Sequence, residues 1–179
     1  SIGALHHFKN KNNQKQYSNQ VKNKLVSCII GGENNHYIFT TKEAKELITK
    51  IKELKSKNSN LDFLVITSRR TGFDIKKLLK NELNKITKLW LGEGKNPYEF
   101  ALYNSSYFII TSDSTSMISE VALTGKPIYI ADIPSKKNDY RIQKFRKLFF
   151  RLNIIKKLDD KLETWNYETL DETSRIALE

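Results

Sequence analysis

The sequence predicts an α/β domain: a three-layer, doubly wound parallel sheet of about five strands. Three observations predict it. Short, almost wholly apolar runs recur along the chain, as in strands buried on both faces. Amphipathic stretches with helical spacing lie between them. Polar, glycine- and hydroxyl-rich residues follow the apolar runs, where sheets of this kind carry their loops. Strands that alternate with helices imply right-handed crossovers, and these put helices on both faces of the sheet.

The elements follow in order. Leu25–Gly31 is the first strand. Thr40–Ser56 is a helix whose Ala44, Leu47, Ile48, Ile51 and Leu54 share one face, and Thr40 with Glu43 form a capping box at its start. Leu61–Thr67 is the second strand. Phe73–Leu83 is helical, with Ile75, Leu78 and Leu79 on one side. Lys88–Leu91 is a short strand. Pro97–Asn104 suits a helix with proline at its first position. Tyr107–Thr111 is the fourth strand. Thr115–Leu123 is a helix that stops before Gly125. Pro127–Ala131 is the fifth strand, and Asn138–Leu152 a basic amphipathic helix. Residues 1–24, rich in Asn, Lys and Gln, read as a lead-in or linker. Residues 25–157 form the domain. Residues 158–179 are an acidic segment expected to fold back and offset the basic helix.

Composition narrows the classes. A chain of 179 residues can bury a core without disulfides or metals. With 39% hydrophobic and 28% charged residues, it has a globular balance on the polar side. Cys28 is the single cysteine. That excludes an internal disulfide framework or a cysteine-rich zinc site, and fits a reducing, cytoplasmic location. No apolar run approaches the ~20 residues of a membrane span. Ser1–Asn23 lacks the apolar centre of a signal peptide. The net charge of +11 has two readings, a coding bias or attraction to nucleic acid or an anionic membrane. Most of the cations are lysine, whereas arginine is the residue for bidentate base and phosphate contacts. Specific nucleic-acid recognition is therefore not indicated. His6 and His7 lack partner ligands at metal spacing, so no metal is implied.

In a doubly wound sheet, ligands bind beyond the carboxyl ends of the strands, where the strand order reverses. Gly31 and Gly32 follow the first strand and let backbone approach a ligand closely, or simply make a tight turn. Ser68, Arg69 and Arg70 follow the second. Two of the few arginines side by side suit phosphate, or one pairs with a carboxylate near a helix end. Asn96 precedes the proline of the third helix. Ser112, Asp113, Ser114, Thr115, Ser116 and Met117 follow the fourth strand and open a helix, whose free N–H groups would take a diphosphate. Capping alone would also account for them. Glu120, one to two turns in, could accept hydrogen bonds from a ribose diol. His36 could be a base, a ligand contact or a surface residue. Neither a P-loop nor a dinucleotide G-x-G-x-x-G is present.

Gly31-Gly32, Thr67-Ser68-Arg69-Arg70-Thr71, Asn96-Pro97-Tyr98, the run Thr111–Glu120 and Gly125-Lys126-Pro127 together resemble the mitochondrial-fission (elongated-mitochondria) family. Its bacterial members are labelled predicted nucleoside-diphosphate-sugar epimerases. The resemblance covers about Leu25–Ala131, and weakly Trp165–Ala177. That family is similar to GT-B glycosyltransferases, whose two halves are each Rossmann-like, and this chain resembles their second, C-terminal half. The resemblance implies diphosphate binding by Gly31, Gly32, Ser114, Thr115 and Ser116, with ribose on Glu120. It also implies a partner half, N-terminal to this one and separate from it, or self-association. An NAD-dependent epimerase would need a Tyr-x-x-x-Lys pair and the dinucleotide fingerprint, so no cofactor is implied.

Three functions follow as expectations. The first is a nucleotide-diphosphate-sugar-binding domain of a GT-B-like transferase. The second is a non-catalytic adaptor of the fission-family type, touching a membrane or protein surface through the basic helix. The third is non-specific nucleic-acid binding through the basic surface.

Overall fold

The computed structural model describes residues 23–137 and 140–169. The lead-in expected at 1–24 thus lies almost wholly outside the described residues, as do His6, His7 and the end of the acidic segment.

The order of elements is β1 (Lys24–Ile30), α1 (Thr41–Lys57), β2 (Leu61–Thr67), α2 (Phe73–Leu83), β3 (Lys88–Trp90), α3 (Tyr98–Asn104), β4 (Ser105–Thr111), α4 (Thr115–Ala122), β5 (Ile128–Ala131), α5 (Tyr140–Arg151) and β6 (Ile155–Lys157). The strands make one six-stranded sheet in the order β3-β2-β1-β4-β5-β6. Every pairing is parallel. The chain winds outward from β1 to β3, then returns to lay β4 on the other side of β1. The order therefore reverses between β1 and β4, and a ligand crevice belongs there.

Alternation along the strands divides the core in two. Val26, Cys28 and Ile30 of β1 face one cluster, closed by Ala44, Ile48, Ile51 and Leu54 of α1 and Ile75, Leu79 and Leu83 of α2. Leu25 and Ile29 face the other, closed by α3, α4 and Phe149 of α5. Buried on both faces, these strands read as continuous apolar runs. Within β1 the buried polar exception is Ser27, whose Oγ lies 2.7 Å from Ser105 Oγ of β4 inside the core. The capping box stands as expected: Thr40 accepts from Lys42 N–H, and Glu43 accepts from Thr40 N–H at 2.8 Å.

The structure has six strands where the sequence suggests about five. The sixth spans only three residues between a basic helix and a polar tail, too short to show a period. Its pairing with β5, Ile128 with Ile155, is what makes it a strand. β4 begins two residues early, because Ser105 pairs with Leu25 across a register shift.

The described part of the acidic segment, residues 158–169, lies against α1 and the sheet. Asp160 lies 2.5 Å from Lys50 Nζ on α1. Leu158, Leu162 and Trp165 pack on the α1–α2 side of the core. Tyr129 Oη donates to Glu163 O at 3.1 Å, and Tyr107 Oη lies 2.9 Å from Thr164 Oγ1. Residues 158–169 thus form a strap without regular structure, which crosses β4 and β5 on this side and ends with Tyr167 Oη donating to Lys126 O at 2.9 Å beside α4. Trp165 is fixed edge-on against Tyr129, its Nε1–H donates to Asn153 O at 2.7 Å, and Lys156 Nζ lies 4.4 Å from its ring centre. Among the described residues, no helix is long and apolar enough to cross a membrane.

Candidate functional site at the strand switch point

Gly31 and Gly32 leave β1 at the reversal and turn beneath the loops that follow β2 and β4. Gly31 N–H donates to Thr111 Oγ1 at 2.8 Å, and Gly32 N–H to Asp113 Oδ2 at 3.2 Å. A Cβ on Gly31 would sit 1.9 Å from Asp113 Oδ2, and one on Gly32 would sit 2.0 Å from the Arg70 carbonyl. The close approach that glycine permits is therefore made here by the chain's own carboxylate and backbone.

Asp113 is the centre of the arrangement. Its side chain is fully buried. Arg70 Nη2 lies 2.8 Å from its Oδ2, and Asn34 Nδ2 donates to its backbone carbonyl at 3.2 Å. Its Oδ1 is buried without a hydrogen-bond partner. Of the two uses the sequence left open for the arginine pair, Arg70 shows the second, a carboxylate just ahead of a helix. Arg69 is exposed. Ser68 holds the turn that aims them: its N–H reaches Ile30 O at 2.9 Å and Thr71 Oγ1 at 3.0 Å, and Arg70 N–H donates to its Oγ at 3.2 Å. Thr71 Oγ1 in turn donates to Gly31 O at 2.6 Å, which ties the β1 and β2 loops together.

The β4 loop divides its work. Ser112 is buried, and its Oγ accepts from Ile133 N–H at 3.0 Å. Ser114 is the N-cap of α4, accepting from Met117 N–H at 3.3 Å, while Ile118 N–H returns to Ser114 O. A helix start has four amides without an intrahelical partner. Here the Ser114 cap takes the amide of Met117, and the amides of Thr115 and Ser116 ahead of it are those an outside acceptor would meet. Ser116 is exposed, Thr115 half-buried, and Met117 packs on the α3–α5 side of the core.

Glu120 lies one turn beyond Ser116 on the same face. Its Oε2 accepts a hydrogen bond from Tyr98 Oη at 2.8 Å. Burial first, and then the adjacent Glu120 charge, push the Tyr98 phenol far above its ordinary range, so it acts as a donor at any physiological pH. Asn96 is exposed, and its Oδ1 accepts from Tyr98 N–H at 2.9 Å. It makes an Asx turn just ahead of α3, whose N-cap is Pro97, and so steers Tyr98.

Two participants, Asn34 and Arg146, were not singled out by sequence reasoning, and Tyr98 entered it only within the Asn96-Pro97-Tyr98 motif. Arg146 reaches from α5 to pair with Asp132 after β5. The loops after β1 and β5 are also joined, with Ile38 N–H to Pro134 O at 2.8 Å and Lys136 N–H to His36 O at 2.6 Å. His36 is thus part of a backbone clasp beside the site. Among the described residues, no group of His, Cys, Asp and Glu side chains could hold a metal ion.

Comparison with known proteins places this arrangement in context. A family model described as "Mitochondrial fission ELM1" matches residues 1–179. The uncharacterised protein RP120 of Rickettsia prowazekii (strain Madrid E) is 30% identical over 160 residues, covering 86% of this chain and 45% of that protein. The mitochondrial fission protein ELM1 of Arabidopsis thaliana is 30% identical over 118 residues, covering 63% of this chain and 27% of that protein. The chain thus spans less than half the length of either relative. Among solved structures, the S. aureus MnaA–UDP co-structure superposes with a TM-score of 0.64 at 12% identity, over 89% of this chain and 39% of that one. UDP-GlcNAc 2-epimerase from Neisseria meningitidis bound to UDP-GlcNAc gives 0.56 at 16% identity, over 89% and 40%. These likenesses show a shared fold: the parallel α/β domain of GT-B-like and epimerase proteins.

Proposed function

This chain belongs to the mitochondrial fission ELM1 family, and on that premise we propose that it is the nucleotide-diphosphate-sugar-binding domain of a GT-B-like protein. In this reading the reacting groups of a complete transferase come largely from a further, N-terminal half. The observation that carries it is the start of α4. Two amides, at Thr115 and Ser116, are left for an outside acceptor, with the Arg70 guanidinium reaching Asp113 from the end of β2 and the Glu120 carboxylate one turn up the same face. A diphosphate on the amides gains from the helix dipole and from charge-assisted hydrogen bonds. A ribose diol suits Glu120. The solved structures of similar fold that hold UDP or UDP-GlcNAc, the S. aureus and Neisseria meningitidis proteins above, support this ligand class.

Calorimetric titration of the chain with UDP and UDP-GlcNAc tests it. Saturable binding that Glu120→Ala abolishes is the expected result. A folded sample that binds no nucleoside diphosphate would end the reading.

One observation favours a second use of the same domain. The outward face of α5 carries Lys144, Lys147 and Arg151, with Tyr140 76% and Leu152 42% exposed at its two ends. Phe149 is buried against the sheet and Phe145 packs against the same core, so the helix has a core side and a free cationic side. That side suits an acidic surface, such as an anionic membrane. Co-sedimentation with anionic liposomes that falls when Lys144, Lys147 and Arg151 are neutralised is the expected outcome. Sedimentation that does not depend on them would remove this reading.

A further inference from the structure

We infer that Tyr98 is a positioning residue: its hydroxyl sets Glu120 to read the ribose of a bound nucleoside diphosphate, so that the site favours nucleotides over bare diphosphate. The inference rests on the nucleotide-binding reading above and deepens it.

Tyr98 is held at both ends. Its backbone N–H is taken by Asn96 Oδ1 at 2.9 Å at the start of α3. Its ring packs on the α3–α5 side of the core. Its hydroxyl therefore arrives at Glu120 from a fixed direction, 2.8 Å from Oε2. The phenol stays protonated, as argued above, so the contact is always a donated hydrogen bond onto the carboxylate.

An unanchored glutamate has three rotatable side-chain bonds, and freezing them on binding costs affinity. Here Tyr98 holds one carboxylate oxygen in advance. Oε1 is left to accept from a ligand hydroxyl. Ser116 and Glu120 are four residues apart, so Glu120 stands about 6 Å up the helix axis from the amide that would hold phosphate. That is the scale of the separation between a nucleotide's phosphates and its ribose hydroxyls. An inorganic diphosphate would engage the helix start and never reach Glu120. Selection between the two ligands is therefore a property of the Tyr98–Glu120 pair.

The alternative role is a staple between α3 and α4 with no bearing on ligands. Tyr98→Phe separates them, because it keeps the packed ring and removes only the hydroxyl. The experiment is calorimetry of the full chain, wild type and Tyr98→Phe, with UDP and with inorganic pyrophosphate, beside thermal melts of both proteins. The expected result is UDP binding weakened about three- to tenfold, the worth of one hydrogen bond. Pyrophosphate affinity and melting temperature should hold. Equal weakening of both ligands, or a lower melting temperature with UDP affinity intact, would make Tyr98 a staple and overturn the proposal. Wild-type protein that binds UDP no better than Tyr98→Phe defeats this proposal alone. Wild-type protein that binds neither ligand defeats the nucleotide reading as well.

Discussion

The guanidinium of Arg70 lies 2.8 Å from Oδ2 of Asp113, and the two differ sharply in exposure: the arginine side chain is 39% exposed and the aspartate wholly buried. A buried carboxylate needs a counter-charge and donors. Arg70 and Gly32 N–H supply them from one side, and Oδ1 goes without a partner.

Arg70→Ala should therefore destabilise more than an ordinary surface truncation. Breaking a buried pair costs about 3–5 kcal/mol, and the exposure of the arginine reduces that to about 2 kcal/mol through solvent screening. Asp113→Asn placed on top should restore part of the loss, since the stranded charge is gone. Urea melts of the single and double variants measure this. A single variant within about 0.5 kcal/mol of wild type would show that the pair adds nothing.

The two glycines of the β1 loop should differ in tolerance. A Cβ at Gly31 meets a side-chain carboxylate, while one at Gly32 meets the Arg70 carbonyl, part of a backbone tied to Ser68 and Thr71. Gly32→Ala should cost more than Gly31→Ala, with overpacking of about 1–3 kcal/mol setting the scale. Thermal denaturation of both variants checks the order.

The capping box gives a pH dependence with a definite sign. Hydrogen bonds from Thr40 hold the Glu43 carboxyl below its ordinary value of 4.5. A lowered folded value means stability that is present above the unfolded value and lost as pH falls through the folded one. Thr40→Ala should cost about 1 kcal/mol at neutral pH and progressively less as the pH drops below the ordinary value of 4.5. Melts of wild type and variant from pH 7 to pH 3 follow the convergence. A gap that does not narrow would mean that Glu43 plays no part in the cap.

Cys28 should be inert in the folded protein. Burial in β1 pushes its thiol up to about 12, and the thiolate is the reactive form. Iodoacetamide at pH 8 should label it only as fast as the domain opens, and freely in denaturant. Rapid labelling under native conditions would contradict its burial.

Much of the fold is legible in the sequence, because its signals are local. The apolar runs, the stripe Ala44–Leu54 and the Thr40/Glu43 pair each lie within a few turns of chain. What was hidden is non-local or too short to carry a period. β6 is a strand only through Ile128 and its neighbours, and the strap from Leu158 to Tyr167 is held by two tyrosines far upstream, Tyr107 and Tyr129. The site divides in the same way. Gly31, Gly32, Ser112, Asp113 and Ser114 could be placed on one rim from strand ends alone. The Arg70–Asp113 and Tyr98–Glu120 contacts could not, since they join residues of separate loops and helices. Nothing local in Tyr98 marks its hydroxyl as the partner of Glu120.

The outermost strands of the described sheet, β3 and β6, are three residues each. Lysine stands at 88 on one edge and at 156 and 157 on the other. A second chain pairing along either border would find a ladder of only a few hydrogen bonds, flanked by positive charge. The described sheet is thus poorly suited to templating fibrils or swapping strands. Any companion polypeptide has better purchase on the helical surfaces and on the crest above β1 and β4, where side chains rather than main-chain edges govern recognition.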